Sequence, residues 1–441
     1  MVPPCPLTCR SLHNSPIPVA EQSTTVDSMA QACVDDLGPA SAQRSALPFE
    51  DVTGMTMRPA RIVTVIARLE GGAGVLALRG AKVLDPANFA VTIITGSGQH
   101  LLDEALAVGL EVIVEPSLTA PIAPRQDWRA VQQLSAIFAE RKPDVVHTHC
   151  AKGGAVGRIA ARRSGVAQIV HTYHGFPFHE FQSAARRQAY VAVERRLGRY
   201  TDVALCVGAG VATEAVRRRL VAPDRVRTIG VAVPSAATAR ASMSALNPEA
   251  RLRARRALGL PIDAKVVGVV GRLTYQKAPE DFLTALQNLN RSDVVGVWIG
   301  DGELAARVDR RARALTGANV VLAGERTDVL EVLPALDVFA LPSRYEGLPT
   351  AIVEAMICGV PVIATAVNAV PDVVIPGETG LLVPPRRPDL LASAIDHLLR
   401  SPTAARQMAV TARERLGDRF SESSLREALA GAYLQKRSPS G

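Results

Sequence analysis

Short apolar runs alternate with segments of helical periodicity from residue 61 onward. Runs such as RIVTVIA at 61–67 and KVVGVVG at 265–271 are almost continuously apolar and rich in β-branched residues, as expected of parallel strands covered on both faces. Alternating strands and helices predict an α/β fold. Strands are expected at 61–67, 89–96, 110–115, 143–149, 265–271, 293–300, 319–324, 337–343 and 360–366, and helices at 75–84, 101–109, 129–142 and 279–289.

The order of strands and helices begins again after a charged, Ala/Arg-rich connector at about 236–258. Because a chain of 441 residues exceeds what one core usually fills, two doubly wound domains are expected, at 59–240 and 241–420. Residues 421–441 are expected to form a C-terminal helix and tail that return toward the N-terminal domain. In such folds ligands bind beyond the carboxyl ends of the strands, so the loops there are expected to carry the function.

The first 58 residues have neither a strand period nor a helix period, and 1–58 is predicted to be a disordered tail. Met55 and Met57 stand just ahead of the first strand, so the tail is either a disordered appendage or an upstream misassigned start. In both cases it is expected to add almost nothing to the folded core. The tail contains four potential zinc ligands, Cys5, Cys9, His13 and Cys33. A tail with free thiols is favoured over a zinc site.

Composition narrows the class of protein and of partner. Aromatic residues make up only 4% of the chain, which suits helices packed on parallel sheets better than an all-β sandwich. The formal net charge of +8 attracts phosphate-bearing partners such as nucleotide substrates and anionic lipid. The arginines are scattered through helical stretches such as 186–199 and form no single block, so nucleic acid is not an expected partner.

Targeting signals are missing from the printed sequence. No apolar run approaches the roughly 18 residues that span a membrane, and the first residues lack a basic segment followed by an apolar one. Six cysteines without a C-x-x-C pair fit a reducing compartment. The chain is therefore expected to be soluble and cytoplasmic, with reversible attachment to an anionic membrane surface at the inner face of the cell membrane.

Two cations follow the strand at 265–271, in the loop GRLTYQK. Arg272 and Lys277 stand five residues apart, between a strand end and the helix expected at 279–289. Such a pair can clamp a diphosphate and stabilise it as it leaves. By itself the pair is a weak signal, because solvated loops commonly carry Arg and Lys.

Two carboxylates follow the strand at 337–343, in the segment RYEGLPTAIVEAMICG. Glu346 lies in the loop, and Glu354 lies in a helix that is expected to begin at Pro349 and to end at Gly359. The free N–H groups of that helix would form an anion site at the same crevice. Glu346 and Glu354 could then bind hydroxyls of two sugars at opposite ends of one nucleotide. The neighbours of Glu354 are apolar, so its carboxylate is expected to be buried with a partner.

Histidines offer a weaker candidate site. His147 and His149 form an H-x-H pair at a strand end, where histidines more often complete hydrogen bonds or line a cleft than bind metal. No D-x-D pair is present to hold Mg²⁺ on a diphosphate. We therefore expect neither a metal nor a cofactor, with Arg272, Lys277 and a helix N-terminus in the place of the ion.

Several ordered motifs resemble those of one enzyme family. GRLTYQK, WIGDGEL at 298–304 and SRYEGLPTAIVEAM at 343–356 resemble the donor-binding domain of the family 4, or group 1, retaining glycosyltransferases. The E-x7-E spacing of Glu346 and Glu354 is a signature of that family. In the N-terminal half, ARLEGGAG, PDVVHTHCAKGGAVGRIAARRSGV and VHTYHGFPFHEFQ resemble segments of bacterial members that build cell-surface polysaccharides. The resemblance covers about residues 61–435.

This resemblance implies the GT-B fold, in which two doubly wound Rossmann-like domains face a central cleft. Residues 59–240 would be the acceptor-side domain and 241–420 the nucleotide-sugar donor domain. The implied activity is metal-independent, retaining transfer of a hexosyl or N-acetylhexosaminyl group from a nucleotide diphosphate sugar, above all a UDP-sugar. The implied acceptor is a saccharide or a lipid-linked acceptor in cell-surface polysaccharide synthesis.

The resemblance also implies roles for single residues. Arg272 and Lys277 would bind the donor diphosphate, and Glu346 would bind hydroxyls of the donor sugar. Glu354 would bind the ribose, and His174 in HTYHG would face the donor sugar from the other domain. Close backbone approach to the donor is implied at Gly71, Gly72, Gly347, Leu348 and Thr350.

Two segments depart from the family pattern. Where many members have a Gly-Gly pair after the strand at 360–366, this chain has VNAVPD at 367–372, a version with Asn that other polysaccharide enzymes share. Ala278 stands where Gly often follows the lysine, and little effect is expected from it.

Three alternatives to sugar transfer remain open. A nucleotide-sugar epimerase or a phosphorylase on the same fold would share the cleft. A non-catalytic nucleotide-sugar-binding protein would need both cations and both glutamates to be coincidental. A dinucleotide-dependent oxidoreductase is disfavoured, because neither first strand is followed by G-x-G-x-x-G with an acidic residue about 20 positions on.

Overall fold

The computed structural model describes residues 58–98, 100–234 and 247–434 of the chain. These residues belong to one compact unit that begins at Arg58. Apart from Arg58, the tail at 1–58 lies outside the described residues, and so do its four potential zinc ligands.

Parallel strands build an N-terminal sheet. Its strands are β1 (Ala60–Ile66), β2 (Phe89–Thr95), β3 (Glu111–Val114), β4 (Val145–His149), β5 (Gln168–Tyr173), β6 (Val203–Cys206) and β7 (Val226–Thr228). Within the described residues this sheet has seven strands, in the order β3-β2-β1-β4-β5-β6-β7. Ala60 of β1 lies opposite Phe89 of β2, and Ile62 lies opposite Val145 of β4. The central strands are buried, which explains their continuous apolar runs.

A second parallel sheet follows the connector. Its strands are β8 (Lys265–Val270), β9 (Val294–Ile299), β10 (Asn319–Leu322), β11 (Val338–Leu341), β12 (Val362–Thr365) and β13 (Leu381–Val383). In the part of the chain that the structure describes, these six strands are ordered β10-β9-β8-β11-β12-β13. The two sheets, each flanked by helices, confirm the predicted α/β fold of two doubly wound domains.

Helices connect nearly all of these strands. They are α1 (Gly71–Val83), α2 (His100–Ala107), α3 (Pro124–Arg141), α4 (Ala151–Arg163), α5 (Ala184–Gly198), α6 (Ala209–Arg217), α7 (Pro248–Ala257), α8 (Pro279–Leu289), α9 (Ala305–Arg313), α10 (Val329–Val332), α11 (Thr350–Ile357), α12 (Pro388–Arg400), α13 (Pro402–Leu416) and α14 (Glu422–Leu434). The bounds of α8 coincide with the helix predicted at 279–289.

Three helix boundaries correct the sequence-based expectations. Helix α1 begins at Gly71, four residues before the helix expected at 75–84. Gly74 is required there, because a Cβ atom would lie 2.7 Å from the carbonyl carbon of Leu69. Helix α7 lies within the segment expected to be a connector. Helix α11 begins at Thr350, because Pro349 just before it is extended.

The last described helix packs against the N-terminal sheet. Arg426 of α14 donates a hydrogen bond to the carbonyl of Val83 at the end of α1, at 2.7 Å. Gln168 at the start of β5 donates to the carbonyl of Ala432, also at 2.7 Å. The ring of Tyr433 is buried against His147 of β4. The chain therefore leaves the N-terminal sheet, builds the second sheet and returns.

Strand order locates the crevice of each sheet. In the first sheet the order reverses direction between β1 and β4, and in the second it reverses between β8 and β11. Ligands of open α/β sheets bind where the order reverses, beyond the carboxyl ends of the strands. The loops after these four strands are therefore the first place to look for a site.

Candidate active site

A lysine and a glutamate from the two crevice loops of the second sheet form an ion pair. Lys277, between β8 and α8, donates from Nζ to Oε1 of Glu346 at 2.5 Å. Gln276 donates from Nε2 to the other carboxylate oxygen of Glu346 at 3.2 Å. The Lys277 and Glu346 side chains are only 16% and 5% exposed. Electrostatic interactions are strong at such a place, because little water screens them.

The N-terminal domain presents glycines to these loops. A Cβ atom at Gly71 would lie 3.9 Å from Nε of Arg272, and one at Gly72 would lie 3.7 Å from Oγ1 of Thr350. Gly71 has a φ of +59°, a backbone conformation that favours glycine. The first turns of α1 and α11 therefore meet beside the exposed cation Arg272. Both turns carry N–H groups without partners inside the helix, which attract an anion.

Backbone contact closes the cleft at Gly347. A Cβ atom there would lie only 1.8 Å from the carbonyl oxygen of His174, so no other residue fits without movement. Gly175, with a φ of +135°, packs on the same glycine. A Cβ atom at Gly175 would lie 3.3 Å from the backbone nitrogen of Gly347. The next residue, Leu348, is buried. His174 thus reaches the loop after β11 through its backbone.

The segment that departs from the family pattern supports Glu346. Asn368 has a φ of +47°, and its Oδ1 accepts the backbone N–H of Glu346 at 3.1 Å. Asp372 accepts the backbone N–H of Gly210 at 3.1 Å, near the start of α6 in the other domain. Burial raises the pKa of the Asp372 carboxyl, and hydrogen bonds from that helix start lower it. One short loop therefore links Glu346 to the N-terminal domain.

Glu354 lies one turn inside α11 and is paired across the domains. Its Oε1 lies 3.7 Å from Nη2 of Arg79 of α1, and the two side chains are 13% and 17% exposed. Burial raises the pKa of the Glu354 carboxyl, while Arg79 lowers it. A buried partner was expected for this carboxylate, and Arg79 is that partner.

Histidines at the end of β4 contact other histidines and the last described helix, α14. His147 lies 2.7 Å by Nδ1 from the hydroxyl of Tyr433 and 2.7 Å by Nε2 from Oγ1 of Thr172. His149 Nδ1 lies 2.9 Å from Nε2 of His174. Both nitrogens of His147 are therefore already engaged.

Burial keeps these imidazoles neutral. It lowers the pKa of His147 to about 3 and that of His174 to about 4. Burial, together with neighbouring charges, lowers the pKa of His149 and His171 well below the ordinary value. Among residues 58–98, 100–234 and 247–434, no group of three or more His, Cys, Asp and Glu side chains could hold a metal ion.

The structure brings the expected site residues to one cleft. Those on the donor side are Arg272, Lys277, Glu346, Gly347, Leu348, Thr350 and Glu354, and those facing them from the other domain are Gly71, Gly72 and His174. Sequence reasoning assigned no role to Gln276, Asn368, Asp372 or Arg79. A usable signal existed for Arg79, because this cation stands between two buried residues of α1, Leu78 and Gly80.

Family comparisons follow the same division of the chain. The family model described as "Glycosyltransferase Family 4" matches residues 70–236, and the one described as "Glycosyl transferases group 1" matches 250–415. A curated relative, the UDP-Gal:alpha-D-GlcNAc-diphosphoundecaprenol alpha-1,3-galactosyltransferase of Escherichia coli, is 31% identical over 66% of this chain and 76% of its own length. The chain belongs to the family 4, group 1 glycosyltransferases. The predicted family is thereby confirmed.

Other relatives of this glycosyltransferase act on different acceptors. The D-inositol 3-phosphate glycosyltransferase of Mycobacterium leprae (strain Br4923) is 30% identical over 77% of this chain and 82% of its own length. Such variety shows that family membership leaves the acceptor open.

Solved structures share the fold of this glycosyltransferase. Anabaena HepE in complex with UDP and glucose has a TM-score of 0.71 at 20% identity, covering 84% of this chain and 98% of its own. WaaG, a glycosyltransferase involved in lipopolysaccharide biosynthesis, has a TM-score of 0.65 at 17% identity, covering 85% of this chain and 99% of its own. These likenesses confirm the expected GT-B architecture. No helix in the described ranges of the glycosyltransferase combines the length and apolarity that crossing a membrane requires.

The neutral histidines make stability depend on pH. Each is neutral in the folded chain but titrates near its ordinary value once unfolded, so below about pH 6.5 the unfolded chain binds protons that the folded chain does not. The free energy of unfolding therefore decreases as the pH decreases, by up to about 1.4 kcal/mol per pH unit for each histidine. We expect the melting temperature to fall between about pH 7 and pH 5 and to fall less steeply in His147→Gln. Thermal unfolding followed by circular dichroism at several pH values measures both slopes.

The matched control is His397→Gln, at an exposed position of α12. It should keep the slope of the parent chain. A His147→Gln chain with the parent's slope would show that this ring is not kept neutral by burial.

Proposed function

We propose that the chain is a retaining glycosyltransferase that moves a hexosyl or N-acetylhexosaminyl group from a UDP-sugar to a saccharide or lipid-linked acceptor in cell-surface polysaccharide synthesis. The observation that carries this proposal is the ion pair of Lys277 and Glu346. It stands at the crevice of the second sheet, beside Arg272 and opposite two glycines of the other domain. A cation and a carboxylate fixed together suit a ligand that has both a diphosphate and hydroxyls.

The diphosphate would lie where the first turns of α1 and α11 meet. Arg272 and Lys277 supply positive charge there, and the N–H groups near Leu348 and Thr350 add the positive end of a helix. On the opposite side, Gly71 and Gly72 have no side chain to hold the phosphate away. This arrangement supports diphosphate binding by side chains and backbone, without a metal.

The donor sugar would lie beside Glu346. Lys277 and Gln276 hold this carboxylate in place, and Asn368 holds its backbone. Sugar hydroxyls donate hydrogen bonds to such an oriented carboxylate with little reorganisation. The neutral imidazole of His174 would contact the same sugar from the other domain as a hydrogen-bonding group.

In the proposed reaction the bond from the anomeric carbon to the diphosphate oxygen breaks, and a bond from that carbon to the acceptor oxygen forms on the same face. The acceptor hydroxyl gives its proton to the leaving diphosphate oxygen. Negative charge grows on the diphosphate as it leaves, so Arg272 and Lys277 stabilise the transition state more than the ground state. Exclusion of water from the closed cleft prevents hydrolysis of the donor.

The choice of donor and acceptor rests on relatives. The name of the E. coli relative gives UDP-Gal as donor and a lipid diphosphate as acceptor, and HepE was solved with UDP and glucose. WaaG takes part in lipopolysaccharide biosynthesis. These proteins support a uridine donor and a cell-surface acceptor for the present chain.

The proposed donor site is tested by Lys277→Met and Glu346→Gln, which preserve side-chain length. Each should lower transfer by about a hundredfold, the loss typical of removing one preorganised charge from a transition state. UDP release would be measured with a panel of UDP-sugars and a GlcNAc-diphospholipid acceptor, with circular dichroism to verify folding.

Matched controls are Lys265→Met, at the start of β8, and Glu325→Gln, which is exposed after β10. Both should keep the parent rate. Lys277→Met and Glu346→Gln chains within a few-fold of the parent would overturn the assignment, and conversion of the UDP-sugar without acceptor would indicate an epimerase.

Metal independence is a second prediction. In the proposed site Arg272 and Lys277 would take the place of a metal ion on the diphosphate, so we expect the full rate of UDP release in excess EDTA. The same assay compares chelated enzyme with enzyme given Mg²⁺ or Mn²⁺. A rate that falls with EDTA and returns with either metal would contradict the prediction.

We further propose that the enzyme is cytoplasmic and attaches reversibly to the inner face of the cell membrane. Support comes from a surface at the start of α3. Trp128 is 50% exposed and Ile122 is 72% exposed. The guanidinium of Arg163 lies 5.0 Å from the centre of the Trp128 ring, and Arg125 and Arg129 are exposed beside it. Exposed Trp among cations suits the interface of an anionic bilayer.

Membrane attachment is tested by co-sedimentation with vesicles. Binding should require anionic lipid, weaken with added salt and drop in Trp128→Ser, because both charge and apolar area contribute. Val216→Ser on α6, also an exposed apolar position, serves as control and should bind like the parent. Sedimentation that is independent of anionic lipid and salt would refute this surface.

A further inference from the structure

Arg79 links three parts of the molecule. It lies two turns into α1, and its Nη2 faces Oε1 of Glu354 across the cleft at 3.7 Å. Its Nη1 donates a hydrogen bond to the carbonyl of Ala232, at the end of the N-terminal domain where the chain leaves for the second sheet. The Arg79 side chain is 17% exposed, so both contacts are made with little competing water.

The position of Arg79 follows from the helix geometry. Side chains of a helix lean toward its N-terminus, so Arg79 points back along α1 toward the glycine turn. That turn lies beside Thr350, the first residue of α11, and Glu354 is one turn further along α11. The first turns of α1 and α11 therefore lie side by side, and the ion pair of Arg79 and Glu354 joins the two helices further along.

The surroundings of Glu354 make a cation necessary. Among the described residues, the titratable groups that face its carboxylate are Arg79 from α1 and the thiol of Cys358, which directly follows α11. Burial raises the pKa of Cys358, so that thiol is neutral and offers no compensating charge. Burial alone favours the protonated form of Glu354, and Arg79 opposes this.

We propose that Arg79 is a positioning residue for the nucleotide, which keeps Glu354 ionised and aimed at the ribose when the two domains are closed. This inference rests on the proposed function, in which Glu354 binds the ribose. Arg79 acts through Glu354 and needs no contact with the nucleotide, while its hydrogen bond to the Ala232 carbonyl holds the guanidinium in place. Ribose hydroxyls donate to a carboxylate, whereas a protonated carboxyl has lost part of its accepting capacity.

The ion pair of Arg79 and Glu354 also couples nucleotide binding to closure of the cleft. Arg79 and Glu354 come from different domains, so their pair exists only while the domains are together. A nucleotide that binds the carboxylate form of Glu354 therefore favours the closed arrangement, and closure in turn favours the nucleotide.

Binding of UDP, measured by calorimetry between about pH 6 and pH 8.5, tests the proposal in Arg79→Met, Arg79→Lys, Glu354→Gln and the double variant. Arg79→Met should raise the Kd for UDP about tenfold near neutral pH, as expected when a buried charge loses its partner. The ratio of variant to parent Kd should grow as the pH falls, because the unpaired carboxyl takes up a proton. Arg79→Lys should restore most of the affinity and remove the extra pH dependence. Arg79→Met should add no further loss to Glu354→Gln, since it acts through that residue.

Lys82→Met is the control, because it removes the other cation of α1, which pairs with Glu104 within the N-terminal domain. It should bind UDP as the parent does. Equal affinity in Arg79→Met and parent at every pH overturns the role of Arg79 alone. A loss that is the same at every pH and multiplies with that of Glu354→Gln assigns Arg79 a merely structural role and also overturns the proposal. A parent chain that does not bind UDP overturns the proposed donor site, and this inference with it.

Discussion

Contact between the backbones of the two domains is the constraint on which the cleft depends. Gly347 lies against the carbonyl oxygen of His174, and Gly210 lies against that of Asn368, at distances that no Cβ atom could share. Only because side chains are absent there can the loops after β11 and β12 reach the other domain. The position of Glu346 is set by those loops, so the geometry of the site is a property of the closed pair of domains.

Charged side chains in the interior of the cleft region form ion pairs. Three carboxylates of the cleft region are paired with cations: Glu346 with Lys277, Glu354 with Arg79, and Glu194 with Arg158 at 2.8 Å. The histidines are kept neutral by burial and so add no charge of their own. A diphosphate entering this region would meet positive charge at the mouth, from Arg272, and matched pairs further in. Such a field is fixed before the ligand arrives, which is what electrostatic catalysis requires.

Local patterns predicted most of the fold, because strands and helices are decided within a few residues. The apolar runs became strands, and the helix at 279–289 was predicted with its bounds. The start of α1 was placed four residues too late, because the glycines at 71, 72 and 74 are poor helix formers that here allow close packing. The spacing of Glu346 and Glu354 predicted one side of the site for the same local reason. The partners of Arg79 and Asp372 could not be predicted, since they come from the other domain and no local pattern in the sequence specifies a contact between domains.

The return of α14 to the first sheet has a consequence for biosynthesis. Tyr433, the hydrogen-bonding partner of buried His147, is among the last residues that the structure describes, and α14 also covers α1. On a ribosome, the second sheet can therefore assemble while the first still lacks α14. The N-terminal domain is translated first but receives its last helix, α14, at the end of synthesis. Until then the apolar surface that α14 covers is exposed and is a surface for chaperones to protect.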